Sequence, residues 1–152
     1  MPPHCSQAGH EVSLTLSDSF CVDRHRPEWL RLVEEEVDIL FANEAEITAL
    51  YEVDAFDPAM EKVRGHCEIA CLTRSEKGSV IITNDGARIS VPAAPVDLVD
   101  TTGAGDLYAS GFLYGYTNGL DLEASGRLAS LAAGEVISHL GARPDVELAT
   151  FL

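Results

Sequence analysis

The chain has 152 residues, of which 46% are hydrophobic and 23% charged, a balance typical of one globular domain rather than of a disordered chain. Its formal net charge of -15, with ten scattered basic residues, argues against a nucleic acid partner. The apolar runs are far shorter than the ~20 residues of a membrane-spanning helix, and no secretory signal opens the sequence, so we expect no membrane partner. The cysteines form no Cys-x-x-Cys pair, and Cys67 and Cys71 flank an apolar run, so we expect free thiols in a reducing cytoplasm.

The first half of the sequence predicts two strands and three helices. Alternating apolar and polar residues at 12–16 indicate a strand, and the apolar run at 37–42 is typical of a buried parallel strand. The helices are expected from Pro27 onward and at residues 44–51 and 58–63.

The second half predicts three strands followed by two long helices. The strands are expected at residues 69–73, 79–83 and 87–91. The turn at residues 84–86, Asn-Asp-Gly, favours a tight hairpin between the last two strands. One helix should run from the glycine-rich segment to about residue 118, and another from 122 to 140 with Leu131 and Leu140 inward and Gly141 at its end.

Strands that alternate with helices predict an α/β fold, with a mostly parallel sheet flanked by helices. In such sheets, ligands bind beyond the carboxyl ends of the strands. Polar residues follow three of the predicted strands, at 17–18, 43–46 and 73–75. We expect these strand ends and the loop at residues 100–106 to converge in one ligand-binding crevice.

The segment 100–106, Asp-Thr-Thr-Gly-Ala-Gly-Asp, carries the strongest chemical signal. Small residues at a helix N-terminus leave backbone N–H groups open to an anion, and such groups can stabilise a transferring phosphoryl group. Asp106, in the first turn, can then accept the proton of a hydroxyl nucleophile. The alternative interpretation is structural, because Asp and Thr cap helices and a first-turn acid stabilises one.

Asn43 and Glu46 also allow two interpretations. Asparagine at a helix N-cap followed three residues later by glutamate matches a capping box. The same pair at a crevice edge can hold a hydrated magnesium ion, since magnesium keeps several waters and takes few protein ligands. The two interpretations are compatible, and the sequence leaves both open.

The segment at residues 100–106, followed by Ser-Gly-Phe-Leu at 110–113, resembles the C-terminal signature of the PfkB (ribokinase-like) carbohydrate kinase family. Asn-Glu-Ala-Glu at residues 43–46 resembles the Asn-x-x-Glu motif of that family, and Gly-Ala-Arg-Pro at 141–144 resembles its usual ending. Residues 17–24, Ser-Asp-Ser-Phe-Cys-Val-Asp-Arg, and residues 73–78 resemble its bacterial adenosine-kinase-like branch. The family resemblance implies a ribokinase-like fold with ATP and Mg²⁺ as cofactors.

The resemblance implies a role for each matching residue. Asp106 would be the catalytic base, and the anion hole for the γ-phosphate would comprise Gly103, Ala104 and Gly105. Asn43 and Glu46 would position magnesium and phosphates through water. Asp100 and Thr102 match positions that bind an activating monovalent cation in many relatives, so K⁺ is implied as a further cofactor.

Thr73 and Gly78 match positions of the Thr-x-Gly-x-x-Gly loop with which the family touches the nucleotide. Ser75 stands where that loop has its first glycine, so this chain departs from the family pattern at that position.

The resemblance covers residues 11–152, and nothing matches the N-terminal Gly-Gly signature of the family. We therefore expect an irregular segment at residues 1–10 and the C-terminal half of a PfkB-type kinase at 11–152, with the N-terminal half and lid missing. Self-association or a complementing N-terminal half would then cover the open sheet edge.

The favoured function is ATP-dependent phosphoryl transfer to a hydroxyl of a sugar or nucleoside. The alternative is a non-catalytic remnant of a truncated kinase that binds nucleotide or serves as a scaffold. A dinucleotide-binding oxidoreductase is disfavoured, because no Gly-x-Gly-x-x-Gly follows the first strand.

Overall fold

The computed structural model describes residues 9–151, so most of the segment predicted to be irregular lies outside the described residues. The chain divides into two compact units. One comprises the residues up to Thr73 together with Ile82–Arg88, and the other comprises Arg74–Ile81 and the residues from Ile89 onward.

Five strands form one sheet in sequence order. They are β1 (Ser13–Thr15), β2 (Ile39–Asn43), β3 (Ile69–Thr73), β4 (Ser79–Thr83) and β5 (Arg88–Val91). The first three run parallel. The connections from β3 to β4 and from β4 to β5 are too short for a parallel crossover, so the sheet is mixed. This arrangement confirms the predicted α/β class.

Six α-helices accompany the strands within residues 9–151. They are α1 (Ser19–Arg24), α2 (Arg26–Glu35), α3 (Glu44–Tyr51), α4 (Phe56–Val63), α5 (Ala104–Thr117) and α6 (Leu122–Ile137). Short 3-10 helices lie at Ser75–Lys77 and Leu148–Phe151. In the described part of the chain, no helix has both the length and the apolar character needed to cross a membrane.

The first unit is built around β2 and β3. Four consecutive residues of each strand are buried, which is the pattern of parallel strands covered on both faces. Ile47 and Leu50 of α3 are fully buried, as their helical spacing predicts. Cys67 and Cys71 are buried free thiols, and burial raises the pKa of Cys67 to about 12.

The second unit contains the closely packed pair α5 and α6. A side chain at Gly111 would bring its Cβ to 2.9 Å from the Cα of Ala129, so the absence of one lets the two helices approach. Leu107, Ala132 and Val136 form a buried cluster at this pair. The hydroxyl groups of Ser79 and Tyr108 share a buried hydrogen bond of 2.7 Å.

Three sequence predictions about local structure are wrong. The polar loop after β1 ends earlier than predicted, because Ser19 already begins α1 and Asp18 caps it by accepting a hydrogen bond from the Phe20 amide. Only Val22 of α1 is buried, so this short helix has no apolar periodicity to reveal it. Helix α6 ends at Ile137 rather than at residue 140, and Leu131 and Leu140 are exposed.

Candidate functional site

The carboxyl ends of β1, β2 and β3 bring several predicted site residues together in the first unit. Asn43 and Thr73 are direct partners in the register of β2 and β3. Asp18 follows β1, and its charge acts on the Glu46 carboxyl group at the start of α3. Polar side chains therefore cluster at one edge of three adjacent parallel strands, where such sheets bind ligands.

Asn43 and Glu46 form a complete capping box at the start of α3. Asn43 Oδ1 accepts a hydrogen bond from the backbone N–H of Glu46, and the backbone N–H of Asn43 donates one to Glu46 Oε2, each over 2.8 Å. A third bond of 2.8 Å joins Asn43 Nδ2 to Glu46 Oε1. Burial raises the pKa of Glu46, the Asn43 amide opposes that shift, and the charge of Asp18 adds to it.

Both Glu46 oxygens already accept a hydrogen bond, and the residue is 7% exposed. This geometry suits a hydrated magnesium ion held through water better than direct coordination. Within residues 9–151, no three His, Cys, Asp or Glu side chains are grouped so as to hold a metal ion.

The turn from residue 74 to 78 is held by its own backbone. The Arg74 amide donates to the Gly78 carbonyl over 2.7 Å, and the Gly78 amide donates to the Ser75 carbonyl over 3.0 Å. Gly78 has φ +82°, and a Cβ there would lie 2.1 Å from the Val91 carbonyl oxygen. Ser75 has φ +53°, a left-handed conformation that favours glycine. The serine therefore occupies a glycine-type position in the turn.

The start of the glycine-rich segment is organised by the Asp100 carboxylate in the second unit. Its Oδ1 accepts from the Thr102 hydroxyl over 2.7 Å and from the Thr102 amide over 3.0 Å. Its Oδ2 accepts from the Gly141 amide over 3.1 Å. These donors, Thr102 first, lower the pKa of Asp100, and the charge of His139 adds to the effect.

Gly103, the N-cap of α5, has a backbone conformation that an L-residue rarely adopts. Its φ is +83°, and a Cβ would come within 3.0 Å of Ala142. The Ala104 amide donates to the Thr101 carbonyl over 3.2 Å, while the first amides of a helix otherwise lack intrahelical acceptors. The segment therefore presents a helix N-terminus with little side-chain cover, which is suited to an anion.

Asp106 is exposed in the first turn of α5, immediately beyond Gly105. Within residues 9–151, no side chain or amide donates a hydrogen bond to its carboxylate. The N-cap of α5 is Gly103, and the helix has no side-chain capping hydrogen bond, so Asp106 does not serve as a cap. An exposed carboxylate next to open helix amides can accept a proton beside a bound anion.

The predicted site residues fall into two groups, one in each compact unit. Asn43, Glu46 and Thr73 lie in the first unit. Gly78 and the segment Asp100–Asp106 lie in the second. The expectation that all of them line one crevice stays a prediction.

Sequence reasoning missed a group of polar residues at the end of α6. Glu135 Oε1 accepts from the Asp145 amide over 2.8 Å and lies 3.2 Å from His139 Nε2. The i, i+4 spacing of Glu135 and His139 on a predicted helix is the signal that would have revealed the pair.

The profile of the pfkB family of carbohydrate kinases matches residues 4–149. Cytidine kinase of Thermococcus kodakarensis is 35% identical over 120 residues, which are 76% of this chain and 42% of that protein.

Two solved structures are more similar still. A probable sugar kinase from Rhizobium etli is 51% identical, with a TM-score of 0.92 over 96% of this chain and 44% of the other. The adenosine kinase from Sinorhizobium meliloti is also 51% identical, with a TM-score of 0.91 over 96% of this chain and 45% of the other. The chain thus spans less than half the length of these relatives.

Proposed function

This chain belongs to the pfkB family of carbohydrate kinases, and we propose that it carries the phosphoryl-transfer part of an ATP-dependent kinase. The acceptor would be a hydroxyl group of a sugar or nucleoside, the substrate classes named for its relatives. The observation that supports this most is the start of α5, where Gly103 is the N-cap and Asp106 is exposed in the first turn.

The proposed chemistry uses these residues directly. The acceptor oxygen attacks the γ-phosphorus of ATP, the bond to the β–γ bridging oxygen breaks, and the acceptor proton passes to the Asp106 carboxylate. The backbone amides of Gly103, Ala104 and Gly105 would stabilise the charge on the transferring group. The dipole of α5, 14 residues long, acts in the same direction.

Asn43 and Glu46 would hold Mg²⁺ through water, since both carboxylate oxygens already accept hydrogen bonds from Asn43. The ion would supply neutralisation of phosphate charge. Thr73 and Gly78 are assigned to the nucleotide contact. The amide and carbonyl of Gly78 already bond within the turn, so this residue would meet the nucleotide by close approach of its backbone rather than by donating a hydrogen bond.

Asp100 and Thr102 are assigned to a monovalent cation, with K⁺ as the candidate. The Asp100 carboxylate is occupied by donors from Thr102 and Gly141. A cation held here would therefore take the remaining lone pairs and nearby backbone carbonyl oxygens.

The wider setting follows from the same proposal. Residues 11–152 would act as the C-terminal half of a kinase domain in the cytoplasm. A second copy or a complementing N-terminal half would supply the remaining acceptor contacts and pair with the edge of β1.

The test is transfer of labelled γ-phosphate to a panel of nucleosides and sugars by this chain, assayed alone and together with a complementing N-terminal half. Replacement Asp106→Asn should lower turnover by roughly 10²–10⁴-fold with little change in ATP affinity, because it removes a general base. The matched control is Asp57→Asn, which removes an exposed first-turn acid from α4.

Turnover that is unchanged in Asp106→Asn would remove this residue from the proposed role. If the unaltered chain binds ATP but transfers no phosphate in any setting, the non-catalytic nucleotide-binding alternative would replace the kinase proposal.

A further inference from the structure

The last turn of α6 holds the backbone that leads into the glycine-rich segment. The Ile137 carbonyl accepts from the amides of Val99 and Asp100, over 2.8 and 3.2 Å. Both bonds lie within the second compact unit. The position of the residues before Gly103 is thus set by the end of a helix distant in sequence.

The segment after α6 makes a second connection to the same place. Its Gly141 amide donates to Asp100 Oδ2, while Thr102 occupies Oδ1. The carboxylate is therefore held from both sides, once by its own loop and once by the segment after α6. A displacement of Gly141 would release one of its two oxygens.

Glu135 fixes that segment from within the helix. Its side chain is only 10% exposed, and its Oε1 accepts from the Asp145 amide over 2.8 Å and faces His139 Nε2 over 3.2 Å. The other His139 nitrogen lies 3.3 Å from the Leu140 carbonyl oxygen. The Glu135 carboxylate thus contacts the segment on both sides of Gly141, at His139 and at Asp145.

The Glu135 Oε2 atom is buried and has no hydrogen-bond partner within residues 9–151. Leaving a buried carboxylate oxygen unpaired costs free energy, which offsets part of the stabilisation that the two Oε1 contacts provide. The other carboxylate oxygen, Oε1, makes the two contacts that hold the neighbours of Gly141.

We propose that Glu135, with His139, is a positioning residue for the glycine-rich segment, acting through Gly141 and Asp100. This inference rests on the proposed function only for its consequence, which is nucleotide affinity. The Glu135 carboxylate positions the Gly141 amide for its hydrogen bond to Asp100, and that bond in turn positions the backbone that leads to Gly103.

The experiment measures backbone amide resonances of the full chain by NMR, together with the dissociation constant for Mg-ATP by calorimetry. Glu135→Ala should move the amide proton of Gly141 upfield as its bond to Asp100 weakens, and shift Thr102 as well. Glu135→Gln keeps the shape and one acceptor oxygen, so it should give smaller shifts in the same direction. The control Glu123→Gln removes another α6 carboxylate, paired with Arg127, and should move neither resonance.

The dissociation constant for Mg-ATP should rise by about tenfold in Glu135→Ala, which corresponds to about 1.4 kcal/mol. It should rise less in Glu135→Gln and not in Glu123→Gln. A merely structural role would lower the unfolding midpoint without this graded pattern.

Unmoved Gly141 and Thr102 resonances in both Glu135 variants would overturn the inference. So would resonances that move while the affinity for Mg-ATP stays unchanged. If the unaltered chain binds no Mg-ATP, the proposed function fails, and the positioning role is decided by the Gly141 and Thr102 resonances alone. If Glu135→Ala does not fold, Glu135→Gln decides it in the same way.

Discussion

Replacing Asn43 by alanine should lower the free energy of unfolding by about 2 kcal/mol, because this side chain makes two bonds that nothing else supplies. Loss of the bond from the Glu46 amide to Oδ1 is a lost N-cap and costs about 1 kcal/mol. Loss of the bond from Nδ2 to Glu46 Oε1 adds about 1 kcal/mol, because a charged acceptor loses its donor. Glu46 is 7% exposed, so water only partly replaces that donor.

The assay is urea unfolding followed by far-ultraviolet circular dichroism, with Asp121→Ala as the matched control. Asp121 caps α6 by accepting from the Ala124 amide over 2.7 Å, and its N3 residue is an alanine that cannot close a capping box. That variant should lose only about 1 kcal/mol. Equal losses in the two variants would refute the reasoning that the buried Glu46 carboxylate depends on Asn43.

Two further predictions concern the second unit. Gly111→Val should lower the unfolding free energy by about 1–3 kcal/mol, because its side chain would push α5 away from the backbone at Ala129. In the control, Ser110→Val at an exposed position of the same helix, the unfolding free energy should change by no more than about 0.5 kcal/mol. Similar losses in the two variants would exclude close helix packing as the cause. The pKa of His139 is raised, first by the Leu140 carbonyl and then by Asp145 and Glu135. Protonated His139 therefore stabilises the folded chain fully below the ordinary histidine pKa, and this stabilisation is lost as the pH rises through the raised pKa. Between about pH 5.5 and about pH 8.5 the unaltered chain should therefore lose more unfolding free energy than His139→Gln, and parallel pH curves would contradict this.

The sequence predicts most of the sheet because its strands carry strong local signals. The buried runs of β2 and β3 and the hairpin before β5 depend on neighbouring residues alone, and the structure has strands β3 and β4 at the residues expected. The short helix α1 was missed because its start depends on one cap, Asp18, and a single buried residue, Val22.

The candidate site was predicted to the extent that its residues form continuous motifs. The capping box of Asn43 and Glu46 is a local pattern, and the structure contains it in full. The hydrogen bond between Gly141 and Asp100 joins residues 41 positions apart, so no local sequence pattern predicts it. The same holds for the contact between Glu135 and Asp145, which depends on how the chain turns after α6.

A calorimetric titration with Mg-ATP in the presence of potassium tests most directly whether this chain contains a competent nucleotide site, on which the proposed phosphoryl transfer depends. We predict saturable one-to-one binding, weakened in Glu135→Ala and retained in Asp106→Asn. Absence of binding by a chain that still unfolds cooperatively in urea would contradict it.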